Sequence, residues 1–372
     1  MKVALVHDYL NQMGGAERVL LALHELYPDA PIYTSIYAPQ RVDPAFSRLD
    51  VRSSFMQRLP LVTRHHQPFL PFYPLAFERL DLRAYDLIVS SSSAFAKGVK
   101  VRPDALHICY CHTPMRWAWS YQEYIAGEKL GPAPRLLLPL LMRRLRHWDR
   151  GTARRVDHFI ANSPMVAERI ASYYQSDAVV IPPPVETAHY FLSPIQEDYF
   201  LIVSRLVPYK RIDIAIEAFN QLRLPLKIIG IGRDQARLER LAGPTITFLG
   251  WLPDAEVRHY LANCQALIHP GAEDFGLTPL EAQASGRPVI AYGAGGALTS
   301  VIAGVTGVFF HERSPGALAE AIQRFRPDQF DPLTIRRHAE AFDIRRFQQR
   351  VAQFIEASLA ASSEARQEAG VF

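Results

Sequence analysis

The chain has 372 residues, of which 49% are hydrophobic and 21% charged, a composition that excludes disorder as the main state. Its length exceeds that of one usual core, so two domains are predicted. The formal net charge of +4 is small for this size, and bulk electrostatics therefore create no requirement for a nucleic-acid partner.

The first half of the chain alternates short apolar runs with helical patterns. A strand is predicted at residues 3–6, a loop ending in Gly14-Gly15 follows, and a helix is predicted at 16–26. Further strands are predicted at 32–36, 86–90, 106–111, 158–161 and 178–181. Alternation of this kind indicates a parallel sheet. The prolines at 182–184 and the aperiodic segment that follows predict an interdomain linker.

A second alternating series follows the linker. Strands are predicted at 199–203, 227–229, 245–249, 266–269, 288–291 and 307–310, and helices at 212–222, 235–241, 255–262 and 280–285. We therefore predict a first domain at 1–182, a linker at 183–197 and a second domain at 198–340. Residues 341–372 should hold a last helix, at about 345–360, and a frayed tail.

Two cations follow the first strand of the second domain. Arg205 and Lys210 lie in the loop before the next helix, so both should converge at the carboxyl end of a parallel sheet. Cations gain nothing from the dipole at a helix start, and a surface Arg and Lys there would be unfavourable without an anion. The pair therefore predicts a site for a diphosphate, whose growing charge on departure the two cations would neutralise.

Two glutamates flank the predicted start of another helix. Glu273 should lie in a loop after a strand and Glu281 two turns into the helix, with Phe275, Gly276, Leu277 and Thr278 between them. Backbone N–H groups at a helix start favour phosphate. The order carboxylate, N–H groups, carboxylate suits a sugar, a phosphate and a ribose.

Together these segments resemble the family-4 retaining glycosyltransferases of the GT-B architecture, across nearly the whole chain. The resemblance implies an α/β fold with two Rossmann-like, doubly wound parallel-sheet domains that face a cleft. The amino-terminal domain would bind the acceptor and the carboxyl-terminal domain the nucleotide-sugar, with the last helix crossing back to the first domain. It also implies that Gly15, with Gly14 beside it, binds the diphosphate, Glu273 the donor-sugar hydroxyls and Glu281 the ribose.

Other readings of these residues are weaker. Glu273 and Glu281 resemble the acid and nucleophile of a glycoside hydrolase, but a hydrolase needs no cations beside a phosphate-binding helix. Gly230-Ile231-Gly232 opens a dinucleotide fingerprint whose third glycine is missing, so a dehydrogenase is disfavoured. We expect Gly230 and Gly250 to leave room for the donor nucleotide.

The run His107 to His112 contains two cysteines and two histidines. On a strand, His107, Cys109 and Cys111 share one face and His112 points away, which favours a structural strand over a zinc site. No metal site is predicted. In the resembled family, the position of His112 holds an active-site histidine that contacts the donor sugar near its reacting carbon.

Two stretches of the first domain suggest the acceptor side. Aromatic, apolar and basic residues occur at 55–77, and a basic segment lies at 143–147. The stripe Leu138, Leu141, Leu145 and Trp148 is typical of core packing. The interspersed arginines would nevertheless suit a glycan or polyprenyl-diphosphate-linked acceptor at a membrane surface, with weak, peripheral association.

Three cysteines and an amino terminus that leads straight into a strand favour a reduced, cytoplasmic protein, peripheral at the inner face of the plasma membrane. The segment CHTPMRWAWSYQEY and the loop at 209–211 bring the resemblance closest to bacterial GDP-mannose-dependent mannosyltransferases of surface-polysaccharide assembly. A metal-independent hexosyltransferase without cofactor is expected. A UDP-sugar transferase, a GT-B nucleotide-sugar epimerase and a non-catalytic sugar-nucleotide-binding protein remain as alternatives.

Overall fold

A computed structural model describes residues 1–120 and 132–368 of the chain, with side chains described outside 132–137 and 365–368. The chain divides into two compact units. The first unit comprises residues 1–182 with 347–372, and the second comprises residues 183–346. Each unit is built around one parallel β-sheet, which confirms the predicted α/β class.

The first unit contains a seven-stranded parallel sheet in the order β3-β2-β1-β4-β5-β6-β7. Its strands are β1 (Val3–His7), β2 (Ile32–Thr34), β3 (Val51–Ser53), β4 (Leu87–Ser92), β5 (Leu106–Cys111), β6 (His158–Ala161) and β7 (Ala178–Val180). Every residue of β4 and β5 is buried, because central parallel strands are covered on both faces. The strand order reverses between β1 and β4, which is where open α/β sheets bind ligands.

Helices cover this first sheet. They are α1 (Gly15–Leu26), α2 (Tyr73–Glu78), α3 (Arg116–Trp119), α4 (Pro132–Ala153) and α5 (Pro164–Tyr174). Strand β3 was missed by the sequence analysis, because it has three residues, of which only Val51 is apolar and half-buried. Such a short, polar strand at a sheet edge carries no periodic signal.

The second unit contains a six-stranded parallel sheet in the order β10-β9-β8-β11-β12-β13. Its strands are β8 (Phe200–Val203), β9 (Leu226–Ile229), β10 (Ile246–Gly250), β11 (Leu267–His269), β12 (Val289–Tyr292) and β13 (Gly307–Phe310). Its helices are α6 (Ile212–Leu222), α7 (Gln235–Leu241), α8 (Asp254–Asn263), α9 (Thr278–Ala284), α10 (Ala297–Ser300), α11 (Pro315–Arg324) and α12 (Pro332–Glu340). The strand order reverses between β8 and β11. The loop with Arg205 and Lys210 follows β8, and the loop with Glu273 follows β11.

The segment predicted as a linker packs on the second unit. Val185 N–H donates to Phe342 O at 3.0 Å, and the Arg287 guanidinium donates to Ser193 O and Ile195 O at 3.1 and 2.6 Å. These bonds make residues 183–197 an integral part of that unit.

The last helix, α13 (Ile344–Glu368), packs on the first unit from residue 347 onward. Gln348 Nε2 donates to Ala22 O at 3.2 Å, and Arg350 donates to Val180 O at 2.8 Å. The Phe347 ring lies edge-on to Tyr110. Residues 369–372 of the predicted tail lie outside the described residues. Within the described ranges, no helix has the length and apolar content to cross a bilayer.

Candidate functional site

In the second unit, the loops after β8 and β11 leave the sheet at the point where strand order reverses. The loop after β8 carries Arg205 and then a 3₁₀ turn, Pro208–Lys210, before α6. Arg205 is exposed, and its guanidinium donates to the Tyr209 hydroxyl at 3.3 Å. The sheet therefore presents both predicted cations at its carboxyl edge, where open α/β sheets bind ligands.

The loop after β11 brings Glu273 to these cations. The Lys210 ammonium and the Glu273 carboxylate form an ion pair, and both side chains are largely buried. Burial alone would raise the pKa of Glu273, but Lys210, His269 and Arg205 together lower it to about 2. Glu273 is therefore an ionised hydrogen-bond acceptor throughout the physiological pH range.

His269, the last residue of β11, is a third member of this cluster that the sequence analysis did not identify. Its Nε2 lies 3.6 Å from Glu273 Oε1. This nitrogen is buried and has no hydrogen-bond partner among the described residues. Burial lowers the pKa of His269, so the ring is neutral at pH 7. Its position at the end of a strand, four residues before Glu273, was the available signal.

Helix α9 begins at Thr278, which corrects one expectation. Glu281 lies in the first turn of the helix and is buried, not two turns into it. Leu277 O accepts from the N–H groups of both Leu280 and Glu281, at 2.9 and 3.0 Å. Within residues 1–120 and 132–368, no acceptor pairs with the backbone N–H groups of Gly276, Leu277 or Thr278.

The Phe275 side chain belongs to the core. It is buried in a cluster with Val185 and Leu280, and its ring lies 6.1 Å from that of Phe342. Only the backbone of Phe275 is left to contact a ligand. Its burial instead anchors the loop that carries Glu273.

Glycines let neighbouring loops approach these two segments closely. A Cβ on Gly230, whose φ is +129°, would lie 1.9 Å from Ser204 O. A Cβ on Gly296 would lie 2.1 Å from the Phe275 Cα, and Gly296 N–H donates to Glu273 O at 2.8 Å. Both loops are thus held from the side by the loop after the adjacent strand.

Gly250 has a different environment. It ends β10 with a φ of +69°, and a Cβ there would meet nothing within 4 Å. Its carbonyl accepts from Gly230 N–H at 2.7 Å. The predicted pair Gly230 and Gly250 therefore lies together, at the carboxyl ends of β9 and β10.

In the first unit, Gly14 and Gly15 lie at the start of α1. Gly14 is the N-cap in an extended conformation, and Glu17 lies in the first turn, buried. A Cβ on Gly14 would lie 3.2 Å from Glu17 Oε2, so the carboxylate packs against this glycine. The predicted phosphate-binding turn therefore also has an acidic neighbour.

Asp8, directly after β1, fixes the neighbouring loop after β4. Its carboxylate accepts from the backbone N–H groups of Ser93, Ala94, Phe95 and Ala96 at 2.5, 3.0, 2.7 and 2.7 Å. No local sequence pattern marks Asp8 as a structural residue. Its four partners lie more than 80 residues away in the chain, beyond the reach of any local pattern.

His112 follows β5 and is half-buried. Its Nε2 lies 2.8 Å from Ser91 Oγ, and its backbone is held by Ser92 O and the Asn162 amide at 2.9 and 2.8 Å. Burial, with a smaller contribution from His7, lowers the pKa of His112 to about 3. The ring is neutral at pH 7 and acts through one N–H and one lone pair.

The remaining residues of the His107–His112 run have separate surroundings. His107 is bonded to Ser90 Oγ at 2.9 Å and to Arg155 O at 3.1 Å, while Cys109 and Cys111 are buried free thiols. Within the described parts of the chain, no three or more histidine, cysteine or acidic side chains are grouped so that they could hold a metal ion.

Helix α4 has a core face and a basic face. Leu145 is buried, and Leu138, Leu141 and Trp148 pack against the same core cluster. Arg143, Arg144 and His147 are exposed on the other side. Leu61, Phe72, Leu75 and Leu140 are exposed apolar side chains of the same unit. Residues 121–124 of the segment CHTPMRWAWSYQEY lie outside the described residues.

Two family models together match most of the chain. Residues 13–189 match the family Glycosyltransferase Family 4, and residues 191–341 match the family Glycosyl transferases group 1. The two matches fall one in each predicted alternating series.

Curated relatives are similar over part of their length. The chain is 32% identical over 225 residues to a D-inositol 3-phosphate glycosyltransferase of Geodermatophilus obscurus, which covers 51% of this chain and 50% of the relative. It is 29% identical over 154 residues to the O-antigen chain mannosyltransferase C of Escherichia coli, with 36% and 41% covered. The chain spans half or less of the length of these relatives.

Solved structures share the fold over almost the whole chain. The sucrose-phosphate synthase of Thermosynechococcus elongatus superposes with a TM-score of 0.74 at 18% identity, covering 97% of this chain and 100% of that one. HepE of Anabaena in complex with UDP-glucose superposes with a TM-score of 0.69 at 19% identity, covering 96% and 100%. At such identities the likeness establishes the architecture alone.

Proposed function

We propose that this chain is a retaining glycosyltransferase of the GT-B fold, since residues 13–189 match Glycosyltransferase Family 4 and residues 191–341 match Glycosyl transferases group 1. It moves mannose from GDP-mannose to a glycan or a lipid-linked saccharide. The observation that carries this proposal is the ion pair of Lys210 with an ionised Glu273, with Arg205 in the same cluster. This is the set of charges that a sugar diphosphate needs at its scissile bond.

The two cations would act on the leaving group. When the bond from the anomeric carbon to the phosphate oxygen breaks, negative charge grows on the nucleoside diphosphate. Arg205 and Lys210 would neutralise this charge, and a unit charge pair about 4 Å apart gains roughly 4 kcal/mol at an effective dielectric near 20. Fixed cations of this kind stabilise the transition state more than the ground state.

The other predicted residues would hold the donor. Ionised Glu273 would accept hydrogen bonds from sugar hydroxyls, and His112 would contact the sugar near its reacting carbon. Gly14, Gly15, Gly276, Leu277 and Thr278 would offer backbone N–H groups to the diphosphate.

The ribose and the base complete the donor. Glu281 would accept from the ribose hydroxyls, and the backbone of Phe275 would line the same loop. Gly230 and Gly250 would leave room for the nucleotide. The backbone N–H groups of Gly276, Leu277 and Thr278, which pair with no acceptor in the described part of the chain, support the diphosphate assignment.

Retention would need no protein nucleophile. The acceptor oxygen would form its bond to the anomeric carbon on the face that the diphosphate leaves. The acceptor proton would pass to an oxygen of the departing phosphate, so that the transferred sugar keeps its configuration. Arg205 and Lys210 would offset part of the negative charge that grows on the departing phosphate, and we propose that no metal ion is required.

The two leading candidate donors, GDP-mannose and a UDP-sugar, differ in their nucleotide base. The E. coli relative is a mannosyltransferase, which supports mannose as the transferred sugar, and GDP-mannose is the donor that we propose. HepE was solved with UDP and with UDP-glucose, which favours a UDP-sugar as the second candidate. Thermal unfolding with GDP-mannose, UDP-glucose and ADP-glucose distinguishes them, because a ligand that binds the native state raises the Tm. The proposal expects the largest shift with GDP-mannose; a larger shift with UDP-glucose would replace it by the second candidate.

We also propose weak, peripheral association with an anionic membrane that presents a lipid-linked acceptor. The exposed arginines of α4 and the exposed apolar side chains of 61–75 support it. Each cation near an anionic surface contributes about 1 kcal/mol at best, so binding should be weak and should fall with salt.

Sedimentation with liposomes tests this association. Binding to anionic vesicles should fall when Arg143, Arg144 and Arg146 are changed to Glu. The matched control changes Arg240, Arg324 and Arg337, exposed arginines of the second unit, to Glu. Equal losses of vesicle binding in both variants would mean that binding depends only on the net charge of the protein. If the wild type does not bind vesicles even at low salt, a soluble acceptor is favoured.

A further inference from the structure

A row of polar side chains runs beneath His112 through the first sheet. His112 Nε2 lies 2.8 Å from Ser91 Oγ, and the same oxygen lies 3.1 Å from His7 Nδ1. His7 Nε2 in turn lies 3.6 Å from Glu17 Oε1. Ser91, His7 and Glu17 are at most 2% exposed. These side chains are therefore largely shielded from solvent, so the contacts among them weigh heavily in fixing their orientation.

The row lies where the strand order of this sheet reverses. His7 ends β1, Ser91 belongs to the adjacent β4, and His112 follows β5, the next strand. Glu17 lies in the first turn of α1, against Gly14. All members belong to the first unit, and the row connects the turn at Gly14 to His112.

The donor and acceptor capacities of these groups set the direction of each hydrogen bond in the row. A carboxylate can only accept, so Glu17 favours the His7 tautomer whose Nε2–H faces it, through a charge–dipole contact at 3.6 Å. His7 Nδ1 then carries a lone pair and accepts from the Ser91 hydroxyl. The Ser91 oxygen is left to accept from His112, whose Nε2 must therefore carry the proton.

We propose that Glu17, His7 and Ser91 are positioning residues that hold His112 in the Nε2–H tautomer. His112 Nδ1 is then a lone pair that accepts a hydrogen bond from a hydroxyl of the donor sugar. The contact with the sugar rests on the proposed function, whereas the tautomer does not. The neutral state of His112 agrees with a pKa that burial lowers to about 3.

A cationic His7 would give the opposite arrangement. His7 Nδ1–H would donate to Ser91, the Ser91 hydroxyl would donate to His112 Nε2, and His112 would carry its proton on Nδ1. The two arrangements are distinguishable by spectroscopy.

The first experiment measures the tautomer of His112 in the ligand-free full chain. Two-bond ¹⁵N–¹H correlation spectra of ¹⁵N-histidine-labelled protein report which ring nitrogen is protonated, and a His112→Asn variant assigns the signals. The wild type should show the Nε2–H pattern, and Ser91→Ala should give a mixture of tautomers. The wild type in the Nδ1–H form, or an unchanged pattern in Ser91→Ala, would overturn the proposal.

Two further variants make the result specific. Ser90, the preceding residue on β4, bonds His107 Nε2 at 2.9 Å in a buried pair, so Ser90→Ala is a control that should leave His112 unchanged. If Ser91→Ala fails to fold, Glu17→Gln replaces an obligate acceptor by an amide that can also donate, and should likewise mix the tautomers. An unchanged pattern there would overturn the role of Glu17.

The second experiment tests the contact with the sugar by kinetics. Ser91→Ala should lower kcat/KM for the donor in proportion to the fraction of His112 that leaves the Nε2–H tautomer, which is about twofold for an even mixture. Ser90→Ala, which leaves the tautomer unchanged, should keep the wild-type kcat/KM. A mixed tautomer with wild-type kcat/KM would overturn the contact with the sugar. If the wild type transfers sugar from no nucleotide sugar, the proposed function is overturned. The spectra would still show whether Glu17, His7 and Ser91 set the tautomer of His112.

Discussion

Replacing Lys210 by Ala removes a cation that the structure pairs with Glu273 and that we propose for the departing diphosphate. The largest loss expected is roughly 4 kcal/mol, for a charge pair about 4 Å apart at an effective dielectric near 20. Each factor of ten in rate corresponds to about 1.36 kcal/mol, so kcat should fall between about 100- and 1000-fold.

The assay is steady-state release of nucleoside diphosphate from the donor over a range of pH values. The matched control is Lys227→Ala, because Lys227 is a partly buried lysine of the same unit, 3.6 Å from Glu197, that lies away from the carboxyl edge of the sheet. It should keep kcat within about threefold of the wild type.

A second readout concerns Glu273, whose pKa Lys210 helps to lower to about 2. Without this lysine the pKa should rise toward its ordinary value, so activity should decline at a higher pH on the acid side than in the wild type. Wild-type kcat in Lys210→Ala, or a change confined to KM, would refute a role in the transition state. Circular dichroism and the Tm show whether the fold is kept.

Three further predictions concern the scaffold of the site. Asp8→Ala leaves four backbone N–H groups unpaired, three of them buried, and should lower the free energy of unfolding by at least about 3 kcal/mol in urea melts. Asp43→Ala, at an exposed N-cap, should cost about 1 kcal/mol, and equal losses would contradict the role of Asp8. Gly296→Ala places a Cβ 2.1 Å from the Phe275 Cα, so it should lower the Tm and should also lower kcat/KM by at least about 10-fold. Gly316→Ala, with open space around its Cβ, should leave both the Tm and kcat/KM unchanged. Burial lowers the pKa of His107 to about 4, so on acidification the unfolded state binds this proton before the folded state does. The free energy of unfolding should therefore fall as the pH drops below about 6.5, by up to about 2 kcal/mol between pH 7 and 5. His107→Gln should flatten this pH dependence, and an unchanged dependence would contradict the prediction.

Local patterns predicted the elements that local sequence determines. Strands β5 and β6 and helix α6 begin and end at the predicted residues, because apolar runs and helical spacing identify buried elements directly. The positions of Arg205 and Lys210 after β8 and of Glu273 after β11 could be predicted, because the end of a buried strand is itself a signal. The position of Glu281 along its helix was predicted wrongly, because helix boundaries are set by the local turn, here with Pro279 among the first helical positions.

The packed arrangement around these residues could not be predicted, since it depends on strand order. His7 and Ser91 are 84 residues apart and meet only because β1 and β4 are neighbours. Asp8 reaches its four N–H partners for the same reason. His269 faces Glu273 across a short loop. That its Nε2 has no hydrogen-bond partner among the residues the structure describes is a property of the buried surroundings, which no single-sequence pattern reports.

The most direct test of the central claim is time-resolved ¹H NMR of GDP-mannose incubated with the protein and a lipid-linked or glycan acceptor. The account predicts that the donor is consumed in the absence of added metal and that the transferred mannose appears with the α configuration of the donor. Arg205→Ala and Lys210→Ala should slow this consumption. A product of β configuration, or an untouched GDP-mannose alongside consumption of UDP-glucose under the same conditions, would contradict the account.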